Sequence, residues 1–175
     1  STEFRLLSRQ GPGLLNRSAL LKMIKTSFIV TCFNSQNHIS RCLDSVLAQS
    51  DQDFEILLAD DGSTDNSQEV LRSYQNNLRI KIFSFKENRG PAKTRNWLAQ
   101  KSLGSLLFFL DIDTKMETDC LSLASRRLLS DQNLGGLQTA LLKEDGSSET
   151  AGHFISPIGF PYEVSSSREE SLIFG

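Results

Sequence analysis

From Ser27 onward the apolar positions fall into short runs separated by stretches with helical spacing. "SFIVTC" (27–32), "FEILLAD" (54–60), "RIKIFSF" (79–85) and "SLLFFL" (105–110) are β-rich and nearly continuous in apolar character. Between them, "HISRCLDSVLAQ" (38–49) puts Ile39, Leu43, Val46 and Leu47 on one helical face. "NSQEVLRSYQ" (66–75) reads as a second helix, with a hydroxyl or carboxylate of "DGSTD" available to cap it. Pro91 suits the first position of a third helix running to about Lys101, and Thr118 can cap a fourth through "CLSLASRRLLS". Four βα units whose strands are apolar on both faces predict an α/β fold, a mostly parallel sheet with helices on both faces. The run before Asp111 is apolar throughout, which predicts a central strand.

The flanks have a different rhythm. Residues 1–26 read as a leader with a weakly amphipathic, basic helix over Leu14–Lys25 that lies over the domain or on a membrane surface. After Asp131 a strand is predicted over 137–143 and an Asp-Gly turn at 145–146, followed by loop-rich sequence. The chain stops on the apolar "LIFG", which suggests truncation. Three segments follow: the leader (1–26), a ligand-binding subdomain (27–131), and the start of a second subdomain (132–175).

Charge narrows the choice of partner. The net charge of −2 supplies no basic field for nucleic acid. Three widely spaced cysteines, Cys32, Cys42 and Cys120, make neither a disulfide framework nor a zinc spacing, so reduced thiols in a cytoplasmic setting are expected. No apolar run approaches the ~20 residues that span a bilayer.

The candidate chemistry lies at the strand ends. Open parallel sheets bind ligands beyond their carboxyl edges. Three polar clusters fall there: "TCFNSQN", "ADDGSTD" and "DIDTK". Any one of them is ordinarily a polar loop with a helix cap; three at one edge converge on a site. Asp111 and Asp113, two apart at a strand end, point to the same side if the chain stays extended. Two such carboxylates repel unless a cation lies between them, and their hard oxygens suit Mg²⁺ or Mn²⁺. A capping aspartate beside a solvated one is the plainer alternative.

"FLDIDT" also resembles the first motif of the haloacid-dehalogenase-like phosphatases, in which Asp111 would be a nucleophile. That family opens its domain with this strand, whereas three βα units precede it here, and no Gly-Asp-x-x-x-Asp follows.

The order of the clusters instead resembles family 2 glycosyltransferases of the Rossmann-like GT-A fold. The stretches that carry the resemblance are "SFIVTCFNSQNHISRCLDSVLAQSDQDFEILLADDGSTDNS", "ENRGPAKTRNWLAQKSLGSLLFFLDIDTK" and, more weakly, "GHFISPIGFPYE". The resemblance implies that Thr31 and Phe33, with Asn34 beside them, line the nucleotide. It implies that Asp61 accepts a hydrogen bond from a uracil-type ring, that Asp60 shapes the same loop, and that Arg95 lies near the base or diphosphate. Asp111 and Asp113 would hold Mn²⁺ or Mg²⁺, with Asp111 also at the nucleotide. The implied reaction is inverting transfer of a sugar from a UDP-, dTDP- or GDP-linked donor. The acceptor would be a glycan, a lipid-linked glycan or a protein, met in the cytoplasm or at the inner face of the membrane.

Two departures stand out. Thr114 follows Asp113 where many members carry a third acidic residue. The carboxylate base that inverting members use is expected beyond Gly175, because Glu144 and Asp145 fall in a predicted turn. His153 reads as lining the acceptor side or as an ordinary loop residue. A domain that keeps the fold but only binds nucleotide-sugar is the remaining alternative.

Overall fold

The computed structural model describes residues 25–143, 147–150, 153–155 and 161–163. Among these, four strands form one parallel sheet: β1 (Thr26–Cys32), β2 (Phe54–Asp61), β3 (Ile80–Phe85) and β4 (Leu106–Asp111), in the order β3-β2-β1-β4. Four helices alternate with and follow the strands: α1 (Ile39–Leu47), α2 (Ser67–Arg72), α3 (Pro91–Ala99) and α4 (Cys120–Leu129). This is the predicted α/β arrangement, a parallel sheet flanked by helices.

Burial follows strand order. All eight residues of β2 are buried, as are six of the seven in β1, so the two inner strands have no solvent face. That is why their sequences run apolar without alternation. β4 differs from its expectation. It lies at the edge of the described sheet, pairs only with β1, and leaves Leu107 and Phe109 exposed. An apolar run shows that a strand is present but not how many neighbours it has. Here β1 and β2 hold the inner positions, and among the described residues β4 pairs on one side alone.

Helix α3 lies against β1 and β2. Ile29, Leu57, Ala59 and Leu98 form a fully buried cluster beneath it, with Phe83, Phe85 and Trp97 packed around. Trp97 meets both Phe83 and Phe85 edge-on, ring centroids 5.0 Å apart in each pair. Burying a side chain of Leu size contributes roughly 1.5–3 kcal/mol, so this cluster fixes α3 and everything its first turn carries.

The helices are shorter than their sequence patterns. α2 stops at Arg72, and α3 stops at Ala99, with Pro91 in its first turn as predicted. The residue before α4 is Asp119 rather than Thr118, and no side chain caps that end. The Thr118 carbonyl instead accepts the Ser50 amide at 2.9 Å.

The chain divides into two compact units: one runs to Ser40 and takes in Asp53–Thr114, and the other comprises Arg41–Gln52 and the chain from Lys115. In the second, buried Gln49 donates to the carbonyls of Ser45 (3.1 Å) and Glu117 (2.8 Å) and accepts the Leu121 amide (2.9 Å). Ser45 Oγ accepts the Met116 amide at 3.0 Å. The strand predicted over 137–143 contracts to β5 (Leu141–Leu142), which pairs antiparallel with β6 (Ser148–Thr150). His153 opens β7 (His153–Ile155), which pairs with β8 (Pro161–Glu163). The basic stretch 14–24, Glu144 and the Asp145–Gly146 turn lie outside the described residues. No helix among the described residues is long and apolar enough to cross a membrane.

Candidate functional site

Parallel register brings the carboxyl ends of the strands to one edge. Thr31 stands opposite Asp111, Cys32 opposite Asp60, and Asp61 opposite Phe85. From β1 the chain passes to β2 and β3 on one side, then returns to the other side as β4. The order therefore reverses between β1 and β4, where open α/β sheets form their ligand crevice. A cavity of about 320 Å³ opens there, and Thr31, Phe33, Asp61, Arg95, Asp111 and Asp113 all line it. These six predicted residues are brought together; Asn34 and Asp60 are not among the lining.

Those two brace the walls instead. Asn34 adopts a left-handed backbone (φ 49°), and its Oδ1 accepts the Thr64 amide at 2.8 Å and the Thr64 hydroxyl at 3.3 Å. Asp60 is fully buried and accepts the Ser63 amide (3.2 Å) and the Gln68 side-chain amide (2.8 Å). Each thereby ties the loop after β2 into place. Asp65 adds a third tie: its oxygens accept the Gln36 amide at 3.1 Å and the Ser67 amide at 2.9 Å. The Ser67 hydroxyl in turn accepts the Ser35 amide at 2.9 Å. A carboxylate of "DGSTD" does take up a first-turn amide of α2, but the same carboxylate also reaches the loop after β1.

Gly62 permits a further close approach. Its φ is +80°, and a Cβ there would stand 2.7 Å from the Glu87 carbonyl carbon. The loop after β3 can therefore close on Asp61. Asp61 Oδ1 accepts the Arg89 amide at 3.1 Å and the Thr94 hydroxyl at 3.0 Å. Asp61 is only 3% exposed, and the residues that orient it are Arg89 and buried Thr94.

Arg95, one residue on in α3, donates through Nη2 to Asp111. Its Nε is buried and has no hydrogen-bond partner among the described residues. Asp113 does not continue the extended chain: the Thr114 amide donates to the Asp111 carbonyl at 3.0 Å, closing a turn. The turn, rather than strand periodicity, brings both carboxylates to the cavity. Cys32 also lines it. Burial, then the neighbouring Asp60 charge, pushes its thiol up against the opposing pull of nearby serine hydroxyls. A neutral thiol there is neither a soft metal ligand nor a nucleophile.

Among the described residues no group of three or more His, Cys, Asp or Glu side chains could hold a metal by itself. The Asp111–Asp113 pair fits a hard dication of the Mg²⁺ or Mn²⁺ kind, which completes its shell with phosphate oxygens and water. Sequence reasoning missed Asn88, which lines the cavity, and Thr94, which orients Asp61. Both lie within the quoted "ENRGPAKTRN"; the signal for Thr94 was a hydroxyl on the buried face of α3, one turn before Leu98.

A Rossmann-like parallel sheet with a cavity at its switch point, Asp111 ending β4 and Asp113 in the turn beyond it, is of the GT-A class of fold. Residues 27–159 match the family model described as "Glycosyl transferase family 2", and the chain belongs to that family. It is 35% identical over 130 residues to the chondroitin synthase of Pasteurella multocida (strain Pm70), covering 73% of this chain and 13% of that protein. The hyaluronan synthase of Pasteurella multocida matches to the same extent. The chain thus spans only a small part of these relatives. Among solved structures, S. aureus TarS 1–349 in complex with UDP is 28% identical with a TM-score of 0.57, over 69% of this chain and 40% of that one. The mannosyltransferase PcManGT from Pyrobaculum calidifontis, in complex with GDP-Man and Mn²⁺, shares the fold with a TM-score of 0.61 at 20% identity, over 68% of this chain and 36% of that one. Family membership removes the phosphatase-like reading of Asp111.

Proposed function

We propose that this chain holds the donor site of a metal-assisted, inverting glycosyltransferase that takes its sugar from a nucleoside diphosphate, UDP in the first instance. The observation that carries the reading is the convergence of Asp61, Arg95, Asp111 and Asp113 on one cavity at the β1/β4 switch point. UDP bound to TarS supports the choice of nucleotide.

Each residue has a physical task. Both hydrogen bonds to Asp61 described above arrive at Oδ1, so Oδ2 is the oxygen offered to a ring N–H. A carboxylate only accepts, which selects uracil, thymine or guanine over cytosine, whose ring nitrogen also accepts. Phe33, 45% exposed at the cavity, provides an apolar surface for the base. Arg95 offers a guanidinium to the diphosphate. A dication held by Asp111 and Asp113 would act as a Lewis acid toward the charge developing on the leaving diphosphate. None of the described carboxylates is assigned as the base that activates the acceptor. The acceptor class is a glycan, a lipid-linked glycan or a protein.

The test is a melting curve with UDP, dTDP, GDP and CDP, each with Mn²⁺ or Mg²⁺. Ligand at ~100 times its dissociation constant stabilises the fold by ~2.7 kcal/mol. For a chain of this size that is a rise of roughly 5–10 °C. UDP with metal should give the largest rise and CDP the smallest. No shift with any nucleotide would overturn the reading.

A further inference from the structure

Arg95 shows two features that a fixed contact to a diphosphate does not explain. Its Nη2 already donates to Asp111, the residue assigned to the metal. Its Nε–H is buried without an acceptor among the described residues, although Arg95 as a side chain is a third exposed. A buried donor left unpaired is costly, and in a built site it marks where an acceptor belongs. The guanidinium is thus partly satisfied: Nη2 rests on a carboxylate, while the neighbouring Nε–H has no acceptor among the described residues.

We propose that Arg95 is an internal counter-cation for Asp111, displaced when a divalent metal binds and taken over by the incoming diphosphate. The inference rests on the donor-site reading and adds an order of events to it. With Arg95 on Asp111, one oxygen of the metal pair is engaged, and a positive charge stands where the dication must come. Metal alone therefore binds against Arg95. A nucleoside diphosphate changes the balance, because its oxygens give the guanidinium a planar, bidentate partner and satisfy the waiting Nε–H. The Asp111 oxygen that Arg95 held then becomes available to the metal beside Asp113. Nucleotide and metal help each other to bind through the movement of one side chain, and the coupling is reciprocal. Asp111 is 65% exposed in this pair, so solvent screens the contact and makes the exchange feasible.

The experiment measures Mn²⁺ alone and UDP alone, by calorimetry and by the electron paramagnetic resonance signal of unbound Mn²⁺. The full chain is compared with Arg95→Met and Arg95→Lys. Arg95→Met should tighten Mn²⁺ alone by roughly 5- to 10-fold, the loss of a partly screened competing charge. The same variant should weaken UDP alone by about 10-fold or more. Arg95→Lys keeps the competitor, so its affinity for Mn²⁺ alone should stay near that of the unaltered chain. Opposite movement of the two affinities is the signature; a merely structural arginine would lower both. Arg95→Gln, neutral but polar, takes the place of the methionine variant if melting curves show that the latter is unfolded. If both neutral variants bind Mn²⁺ no more tightly while the unaltered chain still binds UDP with Mn²⁺, the inference is overturned and the donor site stands. If the unaltered chain binds neither, the donor-site reading falls and takes the inference with it.

Discussion

Glu55 and Asp61 lie at opposite ends of β2, and solvent reaches both equally little, 2% and 3%. A buried carboxylate must be paid back in hydrogen bonds or charge, and the two are compensated differently. Glu55 uses both oxygens inside the protein. It accepts the Ser27 hydroxyl (2.7 Å), the Leu103 amide (2.6 Å) and the Lys81 ammonium (2.8 Å). Gly104 completes the closure: its amide donates to Ser27 Oγ at 2.9 Å, and a Cβ there would stand 2.6 Å from the Ser27 nitrogen. Asp61 accepts an amide and a hydroxyl on Oδ1, and it faces a cavity. The amino end of the sheet is thus saturated and closed, while the carboxyl end keeps acceptor capacity for a ligand. Burial alone does not separate a structural carboxylate from a functional one; what its second oxygen meets does.

The largest effect should come from breaking the closed end. Glu55→Ala leaves the Ser27 hydroxyl and the Leu103 amide without their acceptor, and Lys81 without its partner. Removing one member of a buried pair costs ~3–5 kcal/mol. Lys81 is 39% exposed and can turn to water, which lowers the expectation to about 2–4 kcal/mol. Urea denaturation should show this loss, while UDP affinity in calorimetry stays within about twofold. A large fall in UDP affinity at unchanged stability would mean that the two ends are not separable in this way.

Asp61→Asn should invert that pattern, with stability nearly kept and nucleotide affinity lost. An amide donor facing a ring N–H leaves an unsatisfied pair worth roughly 1–3 kcal/mol, or about 5- to 150-fold in UDP affinity. CDP sharpens the point, because its ring nitrogen accepts and the new amide can donate to it. The preference for UDP over CDP should therefore narrow or reverse in the variant. Equal losses for both nucleotides would make Asp61 a loop-shaping residue like Asp60.

The sequence made the closed end harder to read than the open one. Clusters such as "ADDGSTD" and "DIDTK" announce a strand edge because polar residues interrupt apolar runs at one phase of the βα repeat. The four strands and their order in the chain were legible that way, and five of the lining residues fall in such clusters; Arg95 was implied only by the family resemblance. Glu55 hides inside "FEILLAD", where a single acidic residue in a buried strand gives no sign of its partners, which are 26, 28 and 48 residues away. Strand order is equally silent, so β4 was expected at the centre and stands at the described edge. Asn34 and Asp60 carry the right chemistry for a ligand, but their hydrogen bonds turn them into the wall. Only the fold shows which way a polar side chain spends its bonds.

The smallest expected effect concerns how that wall is held. Burial pushes the Asp65 carboxyl up, but the hydrogen bonds from Ser67 and from the Gln36 amide outweigh it and hold the group below the usual aspartate range. A carboxyl depressed in the folded state adds stability above its unfolded value, near pH 4, and loses it as pH falls through the folded value. The comparison to make is the melting midpoint of the unaltered chain minus that of Asp65→Asn, followed from pH 7 to pH 3. The difference should favour the unaltered chain and stay flat down to about pH 5, then shrink below pH 4 as Asp65 takes up its proton. Because Asp65 ties the loop after β1 to the first turn of α2, UDP binding should weaken over the same acid range. A difference that is flat to pH 3, or that grows on acidification, would show that the loops around the cavity are held without this carboxylate.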